Sequence, residues 1–314
     1  LFHFPEEFRP SRPLTWLSPP DSIAPTMSSP APKLTNTHWL IIIIASIGFL
    51  FDTYELLMTP LTAPPAIAEL LGVDMTHPAV TEWTGKLLWI TALCGGIFGL
   101  IGGKLTDVLG RKFVMAASIF VYSFSPFCAA YSTSLTMFIV FRSLTFIGVC
   151  VEFVAAITWL AEVFEDKHQK EKWLGITQAF ASLGGLLVTA INVWILANMK
   201  DLPSLGLPAA SSWRYLLMTG ILPAIPIALM LPFVPESKVW KEKKAAGLLK
   251  RASIGQLFAP ELRRVTIVTA ILSACAYGLA FGALQLTPLR IAPGLPELAE
   301  TSKKMAPLRK QAAE

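Results

Sequence analysis

Four ionisable residues lie inside long apolar runs. Asp52 and Glu55 sit in a run that begins near His38, and Arg142 and Glu152 sit in one that begins at Leu135. Each run is long enough to cross a bilayer, where an ionisable side chain is costly and is by default a functional candidate. Asp52 and Glu55 are three apart and so share one helical face. Counted inward at about 1.5 Å per residue, they and Arg142 come to similar depths. Glu152 lies deeper, and ten steps of about 100° leave it roughly 80° from Arg142, close enough in angle for both to border one cavity. A carboxylate that meets a cation and a second carboxylate can titrate far from its usual pH. That would suit a group that takes up a proton on one side of a membrane and releases it on the other. The opposing reading is a buried ion pair that fixes helix packing.

The elements that must carry these groups are helices. Charged residues make up only 15% of the chain and hydrophobic ones 54%, with mean hydropathy +0.57, against about 25% charged in a soluble domain. Seven candidate spans follow, at 38–58, 86–106, 112–131, 135–161, 173–197, 213–234 and 264–289. Backbone inside lipid has to be helical to satisfy its own hydrogen bonds, so the predicted fold is an all-α, polytopic membrane protein. The sixth span holds Pro223, Pro226 and Pro232, with Pro235 at its end, and a kink is expected there. Residues 1–36 are proline-rich, hold no apolar run and are expected to be disordered. Met27 is the more natural start, which would make residues 1–26 non-native.

Cations set the orientation. The turn after the second span has Lys104, Arg111 and Lys112, and the loop after the fourth has Lys167, Lys170 and Lys172. The loop after the sixth, residues 236–263, holds Lys238, Lys241, Lys243, Lys244, Lys250, Arg251 and Arg263, with Arg264 at the start of the next span. The alternate loops are poor in cations, which puts the N-terminus and the turn at Gly110 on the cytoplasmic side of a plasma membrane, the inner membrane in a bacterium. The net charge of +5 is thereby explained without nucleic acid. Cys94, Cys128, Cys150 and Cys275 fall inside apolar runs at no ligand spacing and read as small hydrophobes. His3, His38, His77 and His168 are scattered, and no catalytic group, metal or cofactor is expected.

The turn itself carries a pattern: Gly103, Leu105, Thr106, Asp107, Gly110, Arg111 and Lys112. In this topology it resembles the signature loop between the second and third helices of the major facilitator superfamily, although Val108 departs from the usual arginine. Gly48 to Glu55 resembles the acidic first-helix motif of the sugar-porter and organic-acid symporter branches. Phe141-Arg142-Ser143-Leu144, Gly148, Glu152 and Ala161-Glu162 resemble their fourth helix. Trp213-Arg214 and Pro235-Glu236-Ser237 resemble the sixth helix and its ending, with Lys238 and Val239 where proline and arginine usually follow.

The resemblance covers residues 38–290. It implies an N-terminal six-helix half over 37–235, an inter-half loop over 236–263, a seventh helix over 264–290, and an interrupted tail over 291–314. Members usually have twelve spans, so about five more are expected, and transport by this polypeptide alone is doubtful. The first and fourth helices line the cavity in the family, so Arg142 is expected to face Asp52 and Glu55, with Glu152 nearby as part of the solute and proton pathway. Gly103, Asp107, Gly110, Arg111, Lys112 and Glu162 would form the cytoplasmic gate, whose latch closes against the absent second half.

The implied function is secondary active transport of a small solute by alternating access, coupled to protons. Sugar, aromatic acid and other organic anions stay open, and Arg142 mildly favours an anion. Partners are then the lipid bilayer, a small-molecule substrate and protons. Gly95, Gly99 and Gly103, four apart, read as a helix-packing face. Asn192, Gln178 and Trp159 read more readily as interhelical glue than as pathway lining, and Trp39, Trp83, Trp89 and Trp213 as interfacial anchors. The alternatives are a seven-helix receptor, which would start outside, and a non-transporting membrane fragment. A retinal protein would need a lysine in the last span, and 264–289 has none.

Overall fold

The computed structural model describes residues 34–164, 166–247, 254–280 and the isolated positions 295, 298, 300 and 301. The expectations for residues 1–33, for the end of the seventh span and for most of the tail lie outside the described residues. The helices are α1 (Asn36–Leu71), α2 (Pro78–Leu109), α3 (Arg111–Ala130), α4 (Leu135–Val163), α5 (Lys167–Ala181), α6 (Leu183–Ala197), α7 (Ser212–Met218), α8 (Ala224–Met230), α9 (Lys238–Ala245) and α10 (Pro260–Tyr277). No strand occurs among the described residues. Seven segments are long and apolar enough to cross a membrane, with α5–α6 counted as one and α7–α8 as another.

Two boundaries differ from expectation. The first span does not end at Met58; α1 continues through Pro60, Pro64 and Pro65 to Leu71. Proline is tolerated in a packed membrane helix where neighbours re-satisfy the freed backbone groups. The second span starts at Pro78, eight residues early, because His77 caps it through Nδ1 and proline occupies a first-turn position where it fits best. The sixth span breaks as its prolines predict. A 3-10 turn at Thr219–Ile221 separates α7 from α8.

In lipid there is little hydrophobic force between helices, so small residues and buried polar contacts decide the packing. The glycine face of α2 is rotated from expectation. A Cβ on Gly95 would lie 2.8 Å from Cys150 Sγ, and one on Gly102 would lie 3.0 Å from Val151 Cγ2. One on Gly103 would meet only Val154, at 3.8 Å. The close-approach stripe against α4 is therefore Gly95, Gly99 and Gly102. On the other side of α4, a Cβ on Gly148 would come within 2.8 Å of the Tyr122 backbone nitrogen of α3. Gly184 lets α6 lie against the Leu50 carbonyl of α1. α4 is thus held between α2 and α3 and also contacts α1.

An apolar core fills the Leu71 end of the bundle, with Met58, Ile67, Leu87, Phe138, Val188 and Leu216 among its members. Leu93, Ile97, Leu186, Val193 and Leu229 face outward. All described side chains of α10 are at least partly exposed.

Candidate functional site

The four ionisable residues are brought together at the centre of the bundle, but not in the pairing expected. Arg142 is fully buried and turns to Glu55 alone of the two carboxylates on α1. Its Nη1 donates to Glu55 Oε2 at 3.2 Å, and its Nη2 donates to the Glu55 carbonyl at 3.2 Å and to Thr59 Oγ1 at 2.5 Å. Three residues are 300° of helix, so Asp52 and Glu55 diverge by about 60° and by about 4.5 Å of rise. That rotation gives them different company.

Asp52 faces Glu152. Its strongest electrostatic neighbour is the Glu152 carboxyl, and the Cys150 thiol and Glu55 are also within reach. Asp52 and Glu152 are buried, and among the described residues neither carboxylate has a hydrogen-bond partner outside the pair; Tyr122 Oη, Arg142 Nε and Trp159 Nε1 are buried with no partner there. Tyr122 is within electrostatic reach of Asp52 first and Glu152 second. Glu152 reaches this position because Gly48 has no side chain. A Cβ on Gly48 would collide with Glu152 Oε1. A buried polar group without a partner is costly, so a cluster of them asks for an explanation.

Several residues of the site escaped sequence reasoning. Thr59 is one. Gly220, in the 3-10 turn, lets the sixth span approach Glu55; a Cβ there would lie 2.7 Å from Glu55 Oε1. Its neighbour Thr219 pairs with Tyr54 Oη at 2.5 Å. Tyr277 of α10, half exposed, comes within electrostatic reach of Cys150 and Asp52. No local pattern marks any of these.

The turn at Gly110 is fully engaged. Arg111 is buried and spends its guanidinium on Asp107 Oδ1 (2.9 Å), Glu162 Oε1 (2.8 Å) and Oε2 (3.0 Å), and the Thr106 carbonyl (2.9 Å). Glu236 accepts from the backbone N–H groups of Arg111 (3.0 Å) and Lys112 (3.1 Å), so its carboxylate caps α3. Gly110 has φ 102 and no room for a Cβ beside Glu236. Lys112 Nζ donates to the Val234 carbonyl at 2.7 Å, Ser237 Oγ to Glu162 Oε2 at 2.6 Å, and Trp240 Nε1 to the Asp107 carbonyl at 2.8 Å. These contacts come from within the chain and are separate from the second-half partner that the sequence led us to expect. The segment after the sixth span returns to it within this chain. Gly103, by contrast, makes only the ordinary contact already described.

A second clamp closes the opposite end. Glu69 accepts from Arg214 Nε (3.1 Å) and Nη2 (2.8 Å), from Trp213 Nε1 (2.8 Å) and from Ser211 Oγ. Arg214 Nη1 also donates to the Ala130 carbonyl at 2.6 Å. Trp213 is therefore no interfacial anchor. It is buried beneath the Arg214 guanidinium, 4.2 Å from its ring centroid, and against Phe138. Trp39 and Trp89 are exposed, as anchors should be. Among the described residues, the side chains of Gln178 and Asn192 make no interhelical hydrogen bond.

Comparison with known proteins supports the same architecture. The chain is 24% identical over 205 residues to the niacin transporter NiaP of Acinetobacter baylyi, covering 64% of this chain and 41% of the relative. It is 29% identical over 232 residues to the 4-hydroxybenzoate transporter PcaK of the same organism, covering 73% of this chain and 46% of the relative. The chain spans about half the length of the curated relatives it matches. Its fold superposes on the xylose transporter XylE from E. coli in a partially occluded inward-open conformation. The TM-score is 0.56 at 19% identity, over 77% of this chain and 60% of that one. The architecture is an N-terminal six-helix half with a seventh transmembrane helix. The family model described as Major Facilitator Superfamily matches residues 44–302, and with a match of that extent this integral membrane chain belongs to the Major Facilitator Superfamily.

Proposed function

We propose that this chain forms part of a secondary active transporter that moves a small organic acid together with protons by alternating access. The observation that carries this reading is the buried carboxyl pair Asp52–Glu152, whose oxygens meet no hydrogen-bond partner outside the pair among the described residues. Such a pair is costly to keep unless a proton or solute occupies it during the cycle. Asp52 is the proton carrier, and Glu152 is the group it shares its environment with. Arg142 is a fixed charge held by Glu55 and Thr59. Its unpartnered Nε is the donor left for a solute oxygen.

Relatives named for niacin and 4-hydroxybenzoate support an aromatic acid as the first solute to try. Arg111, Asp107, Glu162 and Gly110, with Lys112, act as a gate at one end of the pathway; Gly103 lies on the same turn. The cations of that end put it and the N-terminus in the cytoplasm, with the protein in the plasma membrane.

The test is uptake of 4-hydroxybenzoate and nicotinate into proteoliposomes made with the intact gene product, with and without an imposed pH gradient. Gradient-driven uptake that is lost in Asp52→Asn is the expected result. Uptake in Asp52→Asn that follows the gradient as the parent does would remove the coupling assignment.

A further inference from the structure

α9 is docked by one side chain and cationic elsewhere. It starts five residues after the sixth span ends at Phe233, a residue 78% exposed, so it lies at the edge of the apolar zone. Trp240 is its only buried residue, and its indole donates to the Asp107 carbonyl. Lys238, Lys241, Lys243 and Lys244 are all exposed, with Glu242 as the one carboxylate on the helix. None of the four lysines forms an ion pair with a described residue. Lys244 lies over the Trp240 ring at 4.6 Å, a contact that retains its charge. Arg263 and Arg264 are likewise exposed at the start of α10.

We propose that α9 is a docking surface for anionic lipid headgroups of the adjoining leaflet, of the phosphatidylglycerol type. The argument is charge complementarity combined with position. A cluster of four or more cations directly beside a span meets the headgroup layer, where each is worth about fivefold in association. Glu236 and Ser237 precede the helix and hold Arg111, Lys112 and Glu162. A leaflet that holds α9 in place therefore also holds the cap on α3. The proposal does not depend on which solute is carried.

The test uses the whole chain in phosphatidylcholine vesicles with a trace of spin-labelled phosphatidylglycerol or spin-labelled phosphatidylcholine, read as the motionally restricted fraction of each. The expected result is a several-fold preference for phosphatidylglycerol. It should fall to near parity in the quadruple variant K238Q/K241Q/K243Q/K244Q and persist in the corresponding quadruple Lys→Arg variant. Should the quadruple Gln variant fail to fold, Lys241→Gln alone lowers the preference by up to about fivefold. Inorganic phosphate added at matched ionic strength should not displace the lipid. An unchanged preference in the Gln variants overturns the proposal. Displacement by inorganic phosphate overturns it as well, since that would mark a general anion site.

Discussion

Asp52 and Glu55 are one turn apart on the same helix, both buried, and they live under opposite conditions. Glu55 is bound to a guanidinium that also holds its own backbone carbonyl, and the pair locks α1 to α4. Asp52 faces another carboxylate, and among the described residues neither has a hydrogen-bond partner outside that pair. The difference comes from about 60° of helical rotation and from one missing side chain at Gly48. A bundle can thus set a paired charge and an uncompensated carboxyl pair side by side, with the first fixing the helices that carry the second.

The largest expected effect breaks the structural side of that contrast. Arg142→Gln leaves Glu55 buried without its cation and should cost about 3–5 kcal/mol, read as a large drop in melting temperature in nanodiscs. A variant that melts with the parent would mean that the two carboxylates do not differ as described. Arg214→Gln, at the far clamp, should cost less, about 1–3 kcal/mol, because Glu69 keeps its bonds from Ser211 and Trp213. Gly48→Ala forces Glu152 away from α1 and should cost about 1–3 kcal/mol by overpacking. It should also change the pH profile of uptake, which a purely steric defect elsewhere would leave alone. Asp52→Asn should change stability least, within about 1 kcal/mol, while removing gradient-driven uptake. A melting temperature that collapses in Asp52→Asn would return Asp52 to the structural class.

Much of this was legible in the sequence where the cause is local. The turn at Gly103 to Lys112 is contiguous, and its pattern is readable from residue types alone. The ionisable residues stood out because lipid makes any charge within an apolar run conspicuous. What stayed hidden depends on rotation and on distant returns. Asp52 and Glu55 share a face, yet one turn of divergence decides which of them meets Arg142. The glycine stripe was placed one residue off for the same reason, with Gly102 and not Gly103 at the contact. Trp213 carries the residue type of an interfacial anchor, but its partner Glu69 lies 144 residues away, a distance no local pattern spans. Gly220 and Thr219 reach α1 only because the proline-broken sixth span turns there. The return of Glu236 to the Gly110 turn was missed because that turn's partner was sought in a second half, not in the segment after the sixth span.

The length of α1 has a mechanical consequence. Its 36 residues make a rod of about 54 Å at 1.5 Å per residue, against a hydrocarbon thickness of about 30 Å. The overhang ends at Glu69, where Arg214 grips it. Such a rod behaves as a lever. A tilt of about 10° about its Asn36 end carries the tip roughly 9 Å sideways on that length, and the grip on Arg214 obliges the start of the sixth span to travel with it. Any small tilt of α1 near Asp52 is then enlarged at the Glu69 end.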